Sequence, residues 1–316
     1  MKKAYIGPKQ TTIANTNFFD FSLTLFGENS SKNFSYEKNL TFEYWNPDNA
    51  LKEKYIYNNL LSKLSEPFEI MGHDPLLISE CEIPKNISQI CLNDVKLLKV
   101  LNNKIETRSL LKNVINTLDY QIILGHDFDY DNLIKKFGEN MVVQSPFGSG
   151  GSKTFLCTPK NYLDIQSILS DNKNYSVSRF LEENIPYNVH CVIGEKIDLF
   201  APSIQELEII DKIEFIGSKY VNIDKGVKQK MIEQSMNICC ELKKLGYLGV
   251  LGIDYIYSNK ELFFMEINPR FQGSTKDLDL LLSQSNLPSI FEYNYNAFKG
   301  IKTPTAKNMI NSIFDN

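Results

Sequence analysis

The stretch from Gly249 to Arg270, Gly-Val-Leu-Gly-Ile-Asp-Tyr-Ile-Tyr-Ser-Asn-Lys-Glu-Leu-Phe-Phe-Met-Glu-Ile-Asn-Pro-Arg, limits what this chain can fold into more than any other. It reads as two β-strands about a short polar turn. Period-two alternation sets Gly252, Asp254 and Ile256 on one face of the first strand, and Phe264, Glu266 and Asn268 on one face of the second. Cross-strand partners share a face, so Asp254 meets Glu266 and Asn268 only if the connecting loop holds an odd number of residues. A loop of about three or five residues around Ser258, Asn259 and Lys260 satisfies that condition.

Two carboxylates and an amide oxygen brought together make a hard, anionic, oxygen-rich site, suited to magnesium carrying a nucleotide phosphate. An ordinary surface hairpin would turn the same acids to water. The flanking Phe263, Phe264, Met265 and Ile267 argue against that, because so apolar a strand packs on a core and encloses Glu266. An enclosed carboxylate needs a cation or a hydrogen-bond donor. Pro269 ends the ladder and directs Arg270 out of the sheet.

Gly-Ile-Asp at 252–254 followed by Met-Glu-Ile-Asn-Pro-Arg at 265–270 resembles the metal-binding hairpin of the ATP-grasp superfamily of carboxylate–amine ligases. The resemblance implies that Asp254, Glu266 and Asn268 hold magnesium, or manganese in its place, against the phosphates of ATP. It implies Arg270 as the residue that stabilises the anionic acyl phosphate or substrate. The following loop, Phe-Gln-Gly-Ser-Thr-Lys276, resembles the family's substrate loop and adds Ser274 at the reacting groups.

Upstream segments follow the same order as that family. Lys104 opens a helix after the break at Asn102-Asn103, with Arg108 one turn on, and resembles the family's first nucleotide lysine. Lys and Arg at helical spacing otherwise mark a solvated face. Met141-Val-Val-Gln-Ser-Pro-Phe-Gly-Ser-Gly-Gly-Ser-Lys-Thr154 is a strand feeding a Gly- and Ser-rich loop. Glycine lets successive N–H groups converge on one anion, and the loop resembles the family's phosphate lid, with Ser149, Gly150, Gly151, Ser152 and Lys153 about the nucleotide. Gln144 stands where the family's strand usually carries a second nucleotide lysine. A neutral amide can bond a phosphate or the adenine edge but brings no charge, and Lys153 is the candidate to supply it. The strand Tyr175–Leu181 resembles the one that ends in the family's hinge, which implies Phe180 and Leu181 beside adenine and Glu182 or Glu183 at the ribose.

The rest of the chain is read from local pattern. Residues 1 to about 100 form a small α/β unit, with strands at 3–6 and 67–71 and a helix over 51–64, and no GxGxxG turn follows its first strand. His73 and Asp74 are polar loop residues that could touch a substrate. Thr158 with Pro159 is a helix start running to about Ser170. Asn188–Phe200 is a hairpin turned at Gly194-Glu195, with His190 a structural histidine. Gln205 to Tyr220, including Lys219, shows little periodicity and could cover the site. Val227, Met231, Ile232, Met236, Cys239, Leu242 and Leu245 form the core stripe of a helix that Gly246 ends. Leu278 to Phe298 is helical with a break near Pro288.

Composition sets outer limits. A chain of 316 residues, 42% hydrophobic, builds its own core. The formal charge of −4 and the lack of a basic stripe disfavour nucleic acid. No apolar run is long enough to span a membrane or to serve as a secretory signal, and six scattered cysteines suit a reducing compartment, so a cytoplasmic location is expected.

The implied fold is α/β (α+β): a substrate-shaping α/β domain over 1–100, a central and lid domain over 101–181, and a C-terminal domain with the metal hairpin over 182–316, the last two closing around ATP. The implied activity is ATP-dependent, ADP-forming ligation of a small carboxylate to an amine, the substrates amino-acid-like and the acceptor free or on a carrier protein. A homodimer is possible by resemblance. The alternatives are a carboxylase-like or nucleotide-precursor ligase, or a non-catalytic nucleotide-binding module, which Gln144 would favour.

Overall fold

Each of three sheets is built by a different apolar pattern, and a computed structural model describes residues 1–37, 50–148, 150–151, 153–209 and 213–305. The first sheet is parallel. β1 (Lys2–Lys9), β2 (Phe21–Phe26), β3 (Asn33–Glu37), β4 (Phe68–Gly72) and β5 (Ile87–Ile90) lie in the order β3-β2-β1-β4-β5. Ala4, Tyr5 and Ile6 are buried consecutively, as expected of a strand covered on both faces. The helices α1 (Ala50–Leu61) and α2 (Pro75–Ser79) belong to this unit; Asp74 caps α2 by accepting from the N–H groups of Leu76 and Leu77.

Two short helices follow, α3 (Val95–Asn102) and α4 (Lys104–Leu110). Asp94 caps the first and Asn103 both ends the first and caps the second, accepting from the N–H of Ile105 and Glu106. The cap fixes where α4 begins, and so places Lys104 in its first turn and Arg108 one turn later.

The central sheet is antiparallel, ordered β6-β9-β7-β8, from β6 (Tyr120–Leu124), β7 (Met141–Gln144), β8 (Thr154–Cys157) and β9 (Asn174–Arg179). Helices α5 (Tyr130–Phe137) and α6 (Tyr162–Ile168) complete it. The latter starts later than Thr158-Pro159 suggests: Thr158 and Asn161 form a hydrogen-bonded turn, and Asn161 is the N-cap.

The C-terminal sheet runs β13-β12-β10-β14-β15, from β10 (Ile185–Ile193), β12 (Ser203–Ile209), β13 (Ile213–Lys219), β14 (Gly249–Ser258) and β15 (Glu261–Asn268), with the short β11 (Ile197–Leu199) also paired to β10. The β10–β11 turn holds three residues, Gly194 to Lys196, since Ile193 pairs with Ile197, rather than the two expected. Residues 203–209 and 213–219, read as irregular, are the paired strands β12 and β13; Ile216 is an extra residue between the Glu206–Gly217 and Leu207–Phe215 pairs, which breaks the alternation. Helix α7 (Lys225–Lys244) buries Val227, Met231, Cys239 and Leu242 as the stripe predicts, while Leu245 at its C-cap is 48% exposed and lies outside the core. Helices α8 (Thr275–Gln284) and α9 (Ile290–Lys299) follow, separated around Pro288.

The register of β14 against β15 corrects the parity argument. The turn has two residues, Asn259 and Lys260, because Ser258 pairs with Glu261. Tyr255 pairs with Phe264, yet Asp254 pairs with Glu266, so Met265 is an extra residue and forms a β-bulge. The bulge changes the face of everything beyond it. Phe264, on the turn side of the bulge, points into the core with Ile253 and Tyr255, opposite to Glu266 rather than beside it. Burying a side chain of that size contributes on the order of 2–3 kcal/mol.

Asn259 and Lys260 both carry positive φ, 50° and 65°, the backbone of a type I′ turn that favours Asn-Gly. Lys260→Gly is expected to raise stability by about 0.5–1 kcal/mol, read as a higher urea midpoint at unchanged slope.

Candidate active site

Asp254 and Glu266 are directly paired across β14 and β15, and Asn268 pairs with Gly252 one step along the same face. Gly252 leaves this face open: a Cβ there would lie 1.6 Å from Gln272 Nε2, so the Gln272 side chain occupies the space. Asp254 is held by neutral amides. Asn188 Nδ2 donates to its Oδ1 at 2.5 Å, Gln205 Nε2 to the same oxygen at 3.2 Å, and Asn268 Nδ2 to Oδ2 at 3.0 Å. Desolvation and then the charge of Glu266 push the Asp254 carboxyl up to about 7, against the pull of the three amides.

Glu266 has a cation instead. Lys104 Nζ stands 3.1 Å from its Oε2 and donates to the Gly148 carbonyl at 2.8 Å, while the Lys104 backbone N–H bonds Pro146 O. The first turn of α4 therefore ties the Gly-rich loop to the hairpin. Arg108, 7% exposed, donates from Nη2 to Gln144 Oε1 at 3.0 Å and to Met265 O at 3.2 Å, and from Nη1 to Ser176 Oγ at 3.2 Å. The carbonyl it takes on β15 is that of the bulge residue. Gln144 thus faces a guanidinium, with its own Nε2 3.4 Å from Thr154 Oγ1.

In the Gly-rich loop, Gly150 and Gly151 have φ of 61° and 85°, and a Cβ on Gly151 would strike Ile213 O at 1.7 Å. Gly150 O accepts from the Phe215 N–H, so the loop rests on β13. Lys153 also takes a positive φ, 61°, and its carbonyl accepts from the Ser145 N–H. Ser149 and Ser152 lie outside the described residues.

The connector from β9 to β10 carries Phe180 and Leu181, both half-buried, and the exposed Glu182 and Glu183. Phe180 N–H bonds Asn140 O, Glu182 Oε1 accepts from Asn140 Nδ2, and the Glu183 carbonyl accepts from Ser258 Oγ. Glu182 is thus engaged with the central sheet through its side chain.

Beyond the hairpin, Arg270 Nη2 donates to Asn268 Oδ1 at 3.1 Å and Nη1 to Phe271 O at 2.9 Å, which locks the guanidinium beside the ligand face. Ser274 is buried at the N-terminus of α8. His73 lies in the loop after β4, as expected; its carbonyl accepts from the Phe271 N–H and its Nδ1 meets the Tyr5 hydroxyl at 3.0 Å. Burial, then the charge of Arg270, lowers its pKa to about 3, so it is neutral at pH 7. His190 is fully buried, also lowered to about 3, with Nε2 3.3 Å from Thr275 Oγ1. Lys219 pairs with Glu206 on the neighbouring strand. Arg108 and Asn188, central to the geometry, had only a weak signal: one helical spacing and one strand alternation.

Asp254, Glu266 and Asn268 offer only oxygen, which suits a hard divalent cation. Among the described residues no group of three His, Cys, Asp or Glu gathers for a metal, so the protein supplies two carboxylates and an amide. Lys104 on Glu266 is a stand-in cation, and the donor set fits a metal that brings further ligands on a phosphate.

A carboxyl raised from 3.8 to about 7 in the fold binds a proton that the unfolded chain has lost. Its contribution to stability therefore falls as pH rises from about 4 to about 7 and is flat beyond. With a chelator present, unfolding of the wild type against Asp254→Asn across that range is expected to show an excess loss on the order of a few kcal/mol. Parallel curves would remove Asp254 as the source.

A profile of the ATP-grasp domain matches residues 101–274, more than half of the chain. The chain is 26% identical to tyramine–L-glutamate ligase of Methanocaldococcus jannaschii, over 73% of this chain and 81% of that one. Its fold is similar to N5-carboxyaminoimidazole synthetase from Staphylococcus aureus complexed with ADP, with a TM-score of 0.60 and 15% identity over 96% of this chain and 79% of the other. It is also similar to the biotin carboxylase domain of Hydrogenobacter thermophilus 2-oxoglutarate carboxylase, with a TM-score of 0.66 and 12% identity over 97% and 72%. The hairpin, the Gly-rich loop and the helix that joins them lie within the matched segment, and the chain belongs to the ATP-grasp domain family.

Proposed function

We propose that the chain is an ATP-dependent ligase that joins a carboxylate to an amine and releases ADP and phosphate. The observation that carries this reading is the Asp254–Glu266 pair, with Asn268 and Arg270 beyond it, on a face that Lys104 reaches from beneath the Gly-rich loop. ATP would lie between the central and C-terminal sheets, its phosphates against Lys104 and the backbone of Gly150, Gly151 and Lys153, its base and ribose toward residues 180–183. Magnesium, held by Asp254, Glu266 and Asn268, would neutralise and orient the terminal phosphates.

The remaining work falls to the chain's own groups. Arg270, held by Asn268 Oδ1 and Phe271 O, presents a fixed positive charge where oxyanions develop. A substrate carboxylate oxygen forms the bond to the γ-phosphorus as the bond to ADP breaks. The amine then attacks the acyl carbon, phosphate leaves, and the amine proton is given up. Positioning accounts for most of such a reaction. Ser274, buried beside this face, would contribute to the substrate end, as would the neutral His73 from the first sheet.

Small amino-acid-like substrates are supported by the name of the M. jannaschii relative, which pairs an amine with L-glutamate. One observation favours a second reading, a nucleotide-binding module without turnover: the strand residue at the nucleotide face is the neutral Gln144.

ADP release from Mg·ATP with pooled amino acids and small amines separates the two. Substrate-dependent ADP is expected from the wild type and a loss of about a hundredfold or more from Glu266→Gln. AMP as the product would reject the mechanism, and nucleotide binding without turnover would favour the module.

A further inference from the structure

Glu266 is the carboxylate that both buried cations of this site face. Lys104 bonds it directly, and Arg108 feels it at longer range, its charge partly offsetting the cost of burying the guanidinium. The groups that hold Arg108 are otherwise neutral: Gln144 Oε1, Ser176 Oγ, the Met265 carbonyl, and the Tyr120 ring with its centroid 5.3 Å from Cζ. Gln144 and Ser176 are register partners on β7 and β9, so they share one face of the central sheet and grip the guanidinium together. Nε–H and the second Nη1–H of Arg108 have no acceptor among the described residues.

With a divalent cation held on Glu266, the carboxylate that offsets Lys104 and Arg108 would be taken up. Lys104 sits on a flexible stem and can follow an incoming anion. Arg108 cannot move away, because three hydrogen bonds and a ring fix it, and an arginine does not shed its proton. It would be left as a largely buried charge with two donors that no described protein group takes, placed where an incoming phosphate oxygen can accept from them. A lysine at 144 would place a like charge about 3 Å from the guanidinium, whereas the glutamine oxygen accepts from it. Residues 108 and 144 therefore work as a pair.

We propose that Arg108 is a fixed phosphate-directed cation of the nucleotide site, positioned by Gln144, and that it makes metal and nucleotide binding mutually reinforcing. The proposal rests on the nucleotide site argued above and adds a residue and a coupling to it.

The test is calorimetric titration of ADP, with and without Mg²⁺, into the full chain and its variants. Arg108→Gln is expected to weaken Mg·ADP at least tenfold and to reduce the gain that Mg²⁺ gives, while the unfolding midpoint confirms a folded protein. Adding Gln144→Lys to Arg108→Gln is expected to recover most of the affinity, because the charge returns from the strand. A folded Arg108→Gln that binds Mg·ADP like the wild type, with the same gain from Mg²⁺, overturns the proposal. Should that variant not fold, Gln144→Met keeps the guanidinium and removes its anchor. It is expected to weaken Mg·ADP several-fold, and unchanged affinity overturns the proposal. No ADP binding by the wild type would sink the nucleotide site itself, whereas binding without turnover would sink only the ligase reading.

Discussion

Glu266 faces the central sheet because the β14–β15 ladder gains one residue at Met265. Without that bulge, a two-residue turn would put Glu266 on the core side, with Ile253 and Tyr255. The same extra residue settles two further matters. Ile267 joins the core opposite Ile253, and the Met265 carbonyl is set out for Arg108. A local irregularity of the backbone thus serves packing and the site together, which is a reason for such a bulge to sit beside functional groups.

Once the carboxylates are on this face, charge is what the surroundings must manage. Asp254 is met only by amides and carries a raised pKa; Glu266 is met by Lys104. The two partners of the pair are therefore unlike. One is arranged to tolerate protonation and the other is neutralised by a movable cation, so the site can hold its shape before any metal arrives. The β10 strand takes part through Asn188, which bonds Asp254 and Gln272 at once and thereby links the ligand face to the loop after Arg270.

Much of this was legible in the residues. The hairpin, the helix break at Asn103, the Gly-rich loop and the α/β character follow from turn chemistry, capping and alternation, all of which are local. What escaped was set by non-local partners. A bulge leaves no mark in an alternating sequence when both Phe264 and Met265 are apolar, so alternation alone implies an odd loop where the turn is even. The pairing of β12 with β13 was missed because Ile216 is an extra residue that breaks the alternation of Ile213 and Phe215, which lie opposite Ile209 and Leu207. The Arg108–Gln144 contact joins positions 36 apart in sequence and needs the third dimension to be seen.

Helices α3 and α4 precede the central sheet in the chain yet pack in the core of the C-terminal one, where Leu98, Leu101 and Leu111 join Ile253, Phe264 and Ile267. Asn93, just before them, bonds Leu248 in both directions across 155 residues. A ribosome adding about 5–20 residues per second would present this segment roughly 8–30 s before its partner strands emerge. Until β14 and β15 emerge, its apolar side lacks the strands that complete its core, so the order of synthesis leaves that side only partly covered in the nascent chain.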